Sequence, residues 1–331
     1  MQLIDKLINQ ERLTKVESFE LLNNITNGRY NDSQIVVVVT ALQMRSVTAE
    51  ELNGFRDALL EMSTKINLKV EDCIDVCGTG GDGKNTFNIS TMTAFVLATG
   101  GYKVVKHGNY GVSSFCGSST MLEHLGYKFT ANENDLQLQL DETNICFLHA
   151  PLFHPCLKRV SEIRKDLGIR TFFNFLGPLV NPIQPNLQLT GVFNLKVARL
   201  YKDILTNSRK AFSVVHSIDG YDEVSLTAPF KVFTETNEQL VYPEELTKIR
   251  ITEDDLFGGN DILESEKIFR AIAAGNGTAI QNEVVKINTA LGIKCFKPEI
   301  TIEQAQAEAE EIILSGKVAQ TIENVIKLSQ K

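Results

Sequence analysis

Apolar residues recur at intervals of three and four along the first part of the chain. Leu3, Ile4 and Leu7 open this pattern, and Gly and Pro are scarce in the segment. Such spacing places apolar side chains on one face of a helix. The pattern predicts a small helical domain at residues 1–70, and we expect a later helical segment near 165–185 to join it.

One stretch within this domain runs against the helical pattern. Residues 35–39 are Ile-Val-Val-Val-Val, and β-branched residues favour a strand. Ser33 and Gln34 nevertheless offer a helix start, and residues 41–45 continue with good helix formers. We therefore predict a buried helix here.

From residue 73 onward the pattern changes to short apolar runs that end in turns and precede helical stretches. Such alternation predicts a mostly parallel sheet with helices on its faces, in an α/β domain at residues 71–331. The predicted strands are residues 73–77, 103–105, 145–148 and 212–215, with a strand-rich patch at 230–242 and a helix at 302–315.

Composition narrows the functional classes. The chain has 331 residues, 43% of them hydrophobic, which is enough for a substantial core. Its net charge of -8 argues against a nucleic-acid partner, although a small acidic substrate remains possible in a locally positive cleft. The N-terminus lacks a signal peptide's apolar run, and no apolar stretch is long enough for a bilayer. We expect a cytoplasmic protein without membrane association, whose six scattered cysteines are reduced and mostly buried.

A glycine-rich stretch gives the strongest local signal of chemistry. Residues 75–83 read Asp-Val-Cys-Gly-Thr-Gly-Gly-Asp-Gly, and Asn88 follows where a helix can open. Glycines let several backbone N–H groups turn toward one anion, and a helix N-terminus adds favourable partial charge. An ordinary strand-to-helix turn is the alternative, but it leaves the polar residues unexplained. The pattern favours a phosphate site.

A second signal follows the strand predicted at 103–105. Residues 106–109 are Lys-His-Gly-Asn, and Ser113-Ser114 and Gly117-Ser118-Ser119 precede a helix. A positive charge, small residues and hydroxyls at the carboxyl end of a strand suit a phosphate or a pyrophosphate. His107 taken alone is more simply a buried core residue.

Two further segments carry charged residues. On a helix that starts near His154, Arg164 lies almost three turns along, a position compatible with either a cleft or the surface. Asp222 and Glu223 follow a strand and a glycine turn, and two carboxylates suit Mg²⁺ when substrate phosphates supply its other ligands. A solvated arginine and a polar turn are the alternatives.

Together these motifs resemble the anthranilate phosphoribosyltransferases over most of the chain. The matching segments are residues 34–51, 78–82, 106–109, 167–171 with 176–178, and 222–223. The resemblance implies a fold of the nucleoside phosphorylase and phosphoribosyltransferase type, a homodimer, and an active site in the cleft between the helical and α/β domains. It also implies transfer of phosphoribosyl from phosphoribosyl pyrophosphate to the anthranilate amine, with Mg²⁺ and release of pyrophosphate, in tryptophan biosynthesis.

The resemblance assigns roles position by position. It implies catalytic roles for Lys106 and Arg164. The phosphoribosyl pyrophosphate site would comprise Gly78, Gly80, Gly81, Asp82, Thr86, Asn88, Ser90, Thr91, Lys106 and Ser118. The anthranilate site would comprise Gly78, His107, Asn109, His154, Arg164 and Gly177. The magnesium ligands would be Ser90, Asp222 and Glu223.

The chain departs from the family pattern near these residues. Tyr110-Gly111 stand where Arg and a small residue are common, Thr120 stands where Asp is usual, and His149 occupies a position that is often aromatic. None of these departures removes an assigned residue. They do affect the expected shape of the loop over the substrates.

Two other functions fit parts of the pattern. A pyrimidine nucleoside phosphorylase resembles this fold, but such enzymes have a different glycine loop and lack the Leu176-Gly177-Pro178 segment present here. A non-catalytic, nucleic-acid-binding relative is opposed by the acidic composition. The transferase remains the best match.

Overall fold

The computed structural model describes residues 2–111 and 116–331, so Ser113 and Ser114 lie outside the described residues. Its helices are α1 (Gln2–Ile8), α2 (Lys15–Thr26), α3 (Asp32–Arg45), α4 (Ala49–Met62), α5 (Ile89–Thr99), α6 (Ser118–His124), α7 (Glu133–Thr143), α8 (Ala150–Phe153), α9 (Lys158–Leu167), α10 (Leu195–Thr206), α11 (Pro243–Leu246), α12 (Ile262–Ala273), α13 (Ala279–Phe296), α14 (Ile302–Leu314) and α15 (Lys317–Ser329). Its strands are β1 (Ile74–Gly78), β2 (Val104–Gly108), β3 (Ile145–His149), β4 (Leu187–Gly191), β5 (Ala211–Ser217), β6 (Phe230–Phe233) and β7 (Glu238–Val241). Short 3₁₀ helices lie at Pro155–Leu157, Phe172–Phe175, Gly177–Leu179 and Glu253–Leu256.

The strands form one sheet in the order β3-β2-β1-β4-β5-β6-β7. The first five strands pair in parallel, and β6 and β7 add an antiparallel edge. The predicted α/β fold with a mostly parallel central sheet is therefore confirmed. The carboxyl ends of parallel strands meet at one edge, where such sheets bind their ligands.

Strand β4 was absent from the predicted set. Gln188 and Thr190 interrupt its apolar character, yet both are buried, and Gln188 Nε2 donates to Thr190 Oγ1 at 2.8 Å. A buried strand with satisfied polar side chains gives a weak sequence pattern, which is why the strand was missed.

The chain divides into two compact units. The helical unit comprises Met1–Ile66 and Ala150–Gln184, and the α/β unit comprises Asn67–His149 and Pro185–Lys331. The returning segment thus begins directly after β3, earlier than the predicted 165–185. Hydrogen bonds explain this start, because Thr64 N donates to Phe153 O at 2.8 Å and Thr64 Oγ1 donates to Leu152 O at 3.0 Å.

The β-branched run at residues 35–39 is helical, as predicted. Asn31 caps α3 by accepting from Gln34 N, and the Gln34 side chain accepts from Asn31 N in return. Ile35, Val38 and Leu42 are fully buried, which is the spacing of one helix face. Burial on that face outweighs the strand propensity of the run.

The helix predicted to begin near His154 begins later. Pro155–Leu157 is a 3₁₀ turn, and α9 starts at Lys158. A residue before proline avoids the α conformation, and His154 has φ -125° and ψ 58°. Arg164 consequently lies in the last turn of α9.

Within the described ranges, no helix has both the length and the apolar character that spanning a bilayer requires.

Candidate active site

The glycine loop follows β1 at the carboxyl edge of the sheet. Gly80, Gly81 and Gly83 have φ values of 65°, 78° and 79°, which side-chain-bearing residues rarely adopt. Thr79 N donates to Gly191 O at 2.9 Å and so fixes the start of the loop against β4. These positions therefore need glycine for the backbone conformation of the loop.

The turn that carries Asp222 packs directly onto this loop. Gly80 N donates to Asp222 Oδ2 at 2.6 Å. A Cβ atom on Gly78 would lie 2.3 Å from that oxygen, and one on Gly191 would lie 1.5 Å from the Asp222 carbonyl oxygen. The close approach of the two segments therefore requires glycine at both positions.

The first turn of α5 faces the same cluster. Asn88 precedes α5, and its Nδ2 donates to Cys116 O at 2.9 Å instead of capping the helix. The Ser90 side chain and backbone hydrogen-bond with the Glu223 carboxylate. A carboxylate is stabilised beside the partial positive charge of a helix N-terminus, so the start of α5 favours the ionised form of Glu223.

Three carboxylates crowd this region. Burial raises the pKa of Asp222 well above its ordinary value, and repulsion from Asp82 and Glu223 raises it further. Burial also raises the pKa of Glu223 to about 7, against the opposing effects of Lys106 and Ser90. Like charges in a desolvated cluster destabilise one another unless a cation is bound, so Asp222 and Glu223 fit a divalent metal.

The described side chains offer few protein ligands for a metal ion. Among residues 2–111 and 116–331, no group of three or more His, Cys, Asp or Glu side chains is arranged to hold a metal ion. A Mg²⁺ ion typically takes one or two carboxylates together with water and substrate phosphates. The arrangement therefore fits a metal that binds with a phosphorylated substrate.

Lys106 brings a buried positive charge to this cluster. The residue is 2% exposed, its Nζ donates to Val76 O on the neighbouring strand, and its charge lowers the pKa of Glu223. An ammonium group has three donors, so one that bonds a carbonyl can still donate to a ligand. The neighbouring His107 is also buried, and its backbone N donates to Asp75 Oδ1 at 3.1 Å.

Asn109 and Ser118 meet at the start of α6. Ser118 Oγ donates to Asn109 O at 3.3 Å, and Asn109 Oδ1 accepts from Tyr110 N at 2.8 Å. Thr86, between the glycine loop and α5, forms an isolated bridge with Phe257. Thr91 is buried and is the third residue of α5.

The family departures Tyr110 and His149 form one contact cluster. Tyr110 Oη donates to Glu123 Oε1 at 2.9 Å, and its ring meets the His149 ring edge to face with centroids 5.0 Å apart. His149 Nδ1 hydrogen-bonds Ser119 Oγ at 3.0 Å, and its ring stacks on Phe129. The sequence marked these positions as unusual, but it gave no sign that they touch.

The remaining predicted residues lie in the helical unit. His154 is buried, its Nε2 hydrogen-bonds Val180 O at 2.9 Å, and burial lowers its pKa. Arg164 is half-buried, and it donates from Nη2 to Asn174 Oδ1 at 3.0 Å with its guanidinium 5.5 Å from the Phe173 ring centroid. Burial lowers the pKa of Arg164 as well. Arg164 is therefore not a fully solvated charge.

The structure brings part of the phosphate set and the three metal candidates together within the α/β unit. Gly80 and Asp82 hydrogen-bond with Asp222, which also lies close to Gly78, and Ser90 hydrogen-bonds with Glu223, on which the charge of Lys106 acts. The anthranilate candidates are divided between the units. Gly78, His107 and Asn109 belong to the α/β unit, and His154, Arg164 and Gly177 belong to the helical unit.

Comparisons with known proteins extend over the whole chain. Residues 1–63 match the glycosyl transferase family helical bundle domain, and residues 70–319 match the glycosyl transferase family a/b domain. The anthranilate phosphoribosyltransferases of Flavobacterium johnsoniae and Bacteroides fragilis are each 47% identical, over 99% of this chain and 99% of their own length.

Solved structures agree with these sequence matches. The anthranilate phosphoribosyltransferase of Thermus thermophilus superposes with a TM-score of 0.93 at 29% identity, with both chains fully covered. The Saccharomyces cerevisiae enzyme, in complex with PRPP and Mg, has a TM-score of 0.89 at 26% identity and covers 99% of this chain and 97% of its own. Both domains and the full length are accounted for. The chain belongs to the anthranilate phosphoribosyltransferase family.

Proposed function

We propose that this chain transfers the phosphoribosyl group of phosphoribosyl pyrophosphate to the amine of anthranilate and releases pyrophosphate, in tryptophan biosynthesis. One observation carries the proposal: at one edge of the sheet the glycine loop bonds Asp222, and the charge of the buried Lys106 ammonium acts on the adjacent Glu223 carboxylate. Backbone N–H groups and a cation bind phosphates, and adjacent carboxylates bind their metal. Family membership supports the same assignment.

Displacement at the ribose carbon builds positive charge on the sugar and negative charge on the leaving pyrophosphate, as at other glycosidic bonds. We assign Lys106 and the backbone N–H groups of the glycine loop to stabilise that negative charge. Preorganised donors of this kind contribute most where water is excluded, and Lys106 is 2% exposed.

We assign Ser90, Asp222 and Glu223 to hold Mg²⁺. The crowding that raises the pKa of both carboxylates supports this role, because a bound cation would relieve it. When bound, Mg²⁺ would supply Lewis-acid stabilisation of the pyrophosphate oxygens.

We assign Arg164 to bind the anthranilate carboxylate, so that the amine faces the sugar carbon. A half-buried guanidinium that bonds Asn174 through Nη2 keeps donors for a carboxylate. We assign no general base, because an aromatic amine loses its proton readily once the new bond forms. Asn109, His107, His154 and Gly177 are proposed to line the anthranilate site.

We also propose that the protein acts as a cytoplasmic homodimer whose contact is made by the helical unit.

The test is a fluorescence assay of the purified protein with anthranilate, phosphoribosyl pyrophosphate and Mg²⁺. Loss of anthranilate fluorescence is expected, with no loss when phosphoribosyl pyrophosphate is omitted. A Lys106→Ala variant should lose most of the rate, while Lys210→Ala, which removes an exposed lysine paired with Asp72, should retain it. Undiminished anthranilate fluorescence with the folded wild-type protein would contradict the proposal.

A further inference from the structure

Asp75 is a buried carboxylate for which the proposed function has no use. It lies in the central strand β1 and is 1% exposed. Its neighbours Ile74 and Val76 belong to the apolar core, so alternation places Asp75 on the opposite face of the sheet. A charged residue inside a central strand is costly unless it makes hydrogen bonds, and aspartate is disfavoured in strands.

The Asp75 carboxylate bonds the backbone of the adjacent strand. Its Oδ1 accepts from His107 N at 3.1 Å, and the Cys77 side chain also hydrogen-bonds with it. Ile74 lies opposite Val104 where β1 and β2 pair, and β1 and β4 pair along their full length. The carboxylate adds a side-chain link between β1 and β2 at His107, near the carboxyl end of β2.

A second side chain makes the reciprocal link. Lys106 Nζ donates to Val76 O, so the β2 side chain reaches the β1 backbone just as the β1 side chain reaches the β2 backbone. Strand β1 leads into the glycine loop, and β2 leads into residues 106–109. The two side chains thus link the strands that lead into the segments with the proposed phosphate and anthranilate contacts.

We propose that Asp75 is a positioning residue that holds the backbone of His107, and with it Lys106 and Asn109, in register with the glycine loop. The inference rests on the proposed function for its catalytic consequence. Its structural consequence, a restrained His107 amide, does not depend on that function. A hydrogen bond to a carboxylate is stronger than one between neutral groups, which suits a residue that fixes one amide.

The experiment compares Asp75→Ala, Asp75→Asn and a control, Gln139→Ala. Gln139 is fully buried in α7 of the same unit, and its Oε1 accepts a hydrogen bond of 2.6 Å from Tyr127 Oη. It is not one of the residues assigned to the site. Each variant is measured for thermal unfolding, for hydrogen exchange of the peptide containing His107, and for the steady-state constants of both substrates.

We expect Asp75→Ala to accelerate exchange at His107 and to lower kcat/KM at least about tenfold beyond Gln139→Ala at comparable stability. Asp75→Asn retains a side-chain acceptor and should restore most of both properties. Unchanged exchange at His107 in Asp75→Ala would overturn the inference, as would a kcat/KM equal to that of Gln139→Ala. If the wild type has no transferase activity, the proposed function fails, and the exchange measurement alone decides whether Asp75 holds the amide.

Discussion

At the scale of single residues, the surroundings of Arg164 are unlike those of an exposed surface arginine. The guanidinium bonds Asn174 and lies over the Phe173 ring. Arg164→Ala should raise KM or lower kcat/KM for anthranilate at least about tenfold, because losing a charge-paired contact in a desolvated site costs ~2–5 kcal/mol. Arg159→Ala on the same helix, which removes an exposed ion pair with Asp32, is the control. Steady-state kinetics for each substrate give the result, and wild-type constants for anthranilate in Arg164→Ala would refute the assignment.

Asp222 and Glu223 should govern metal dependence rather than folding. Replacing both, as Asp222→Asn with Glu223→Gln, keeps their size and removes both carboxylates. Thermal stability without ligand should stay the same or rise, because burial and mutual repulsion already disfavour these charges. Activity should fall sharply and recover partly only at much higher Mg²⁺.

A magnesium titration of the initial rate measures this effect. Asp219→Asn removes an exposed charge from the same turn and serves as the control. If the titration curves of the double variant and the wild type superimpose, the two carboxylates form only a polar turn.

The glycine loop could be predicted at this scale, and the environment of Arg164 could not. Positive φ at Gly80 and Gly81 is a local backbone property, and the glycines in the sequence indicate it directly. The half-burial of Arg164 depends on Phe173 and Asn174, which a separate 3₁₀ helix presents. The sequence of an amphipathic helix does not show which residues contact its charged side chains. Arg164 could therefore be interpreted from the sequence either as a cleft residue or as a solvated charge.

At the scale of elements, Tyr110 connects the segment after β2 to α6. Its hydroxyl bonds Glu123, and its ring packs on His149. Since Ser118 at the start of α6 is assigned to phosphoribosyl pyrophosphate, Tyr110→Ala should raise KM for that substrate by roughly threefold to tenfold, the equivalent of one modest contact.

Tyr110→Phe, which keeps the ring and loses the hydroxyl, should have an intermediate effect. Tyr242→Ala replaces a tyrosine of similar exposure at the end of β7 and controls for loss of a surface ring. Initial rates measured over a range of phosphoribosyl pyrophosphate concentrations give the KM of each variant. An equal KM in all three variants would mean that the Tyr110 contacts do not influence the substrate site.

Glu51 joins α3, α4 and the loop before α2, and it should make the stability of the helical unit depend on pH. This fully buried residue of α4 accepts from Leu13 N at 2.8 Å and Thr48 N at 2.9 Å, and it pairs with Arg45 of α3. Burial alone would raise the pKa of Glu51, but the bonds from Arg45, Leu13 and Thr48 outweigh it and lower the pKa. The stabilisation is therefore complete above the unfolded pKa of about 4.3 and is lost as the pH falls through the lower folded value.

Glu51→Gln should lower the melting temperature near neutral pH, because an unpaired buried Arg45 costs about 3–5 kcal/mol. The substitution should also make the melting temperature fall less steeply as the pH is lowered below about 4.3. Thermal unfolding at a series of pH values tests both effects, with the exposed neighbour Glu50→Gln as the control. Parallel acid limbs for Glu51→Gln and the wild type would contradict this interpretation.

At the scale of the whole molecule, the helical unit presents apolar side chains that its own core does not cover. Ile35, Val38 and Leu42 are buried within the unit, whereas Val37 is 38% and Met44 is 81% exposed on the same helix. Exposed apolar residues on one face of a helix often mark an interface. We predict a stable dimer at micromolar concentration that Val37→Asp with Met44→Asp weakens.

Sedimentation velocity measures the dimer directly. Leu263→Asp alters an exposed leucine of α12 in the α/β unit and should leave the dimer intact. A wild-type protein that sediments as a monomer would exclude this arrangement.

The sequence predicted the α/β architecture well, because alternating apolar runs and helical periods are local signals. The return of residues 150–184 to the helical unit was harder to place. Its start depends on bonds from Thr64 to Leu152 and Phe153, which join segments far apart in the chain. The same limit applies to Asp75, whose partner His107 lies on another strand.

Gly78 and Gly191, which lie against Asp222, also have a consequence for the folding of the chain. Gly78 and Gly191 leave room for a turn that joins the loop across 142 residues of sequence, from Gly80 to Asp222. Contacts between such distant segments form slowly, since the intervening chain must be ordered first. The contact between the carboxylates and the glycine loop therefore carries a loop-closure cost during folding. Recovery of magnesium-dependent activity should lag behind recovery of helical signal during refolding, which makes catalysis a late reporter of the folded state.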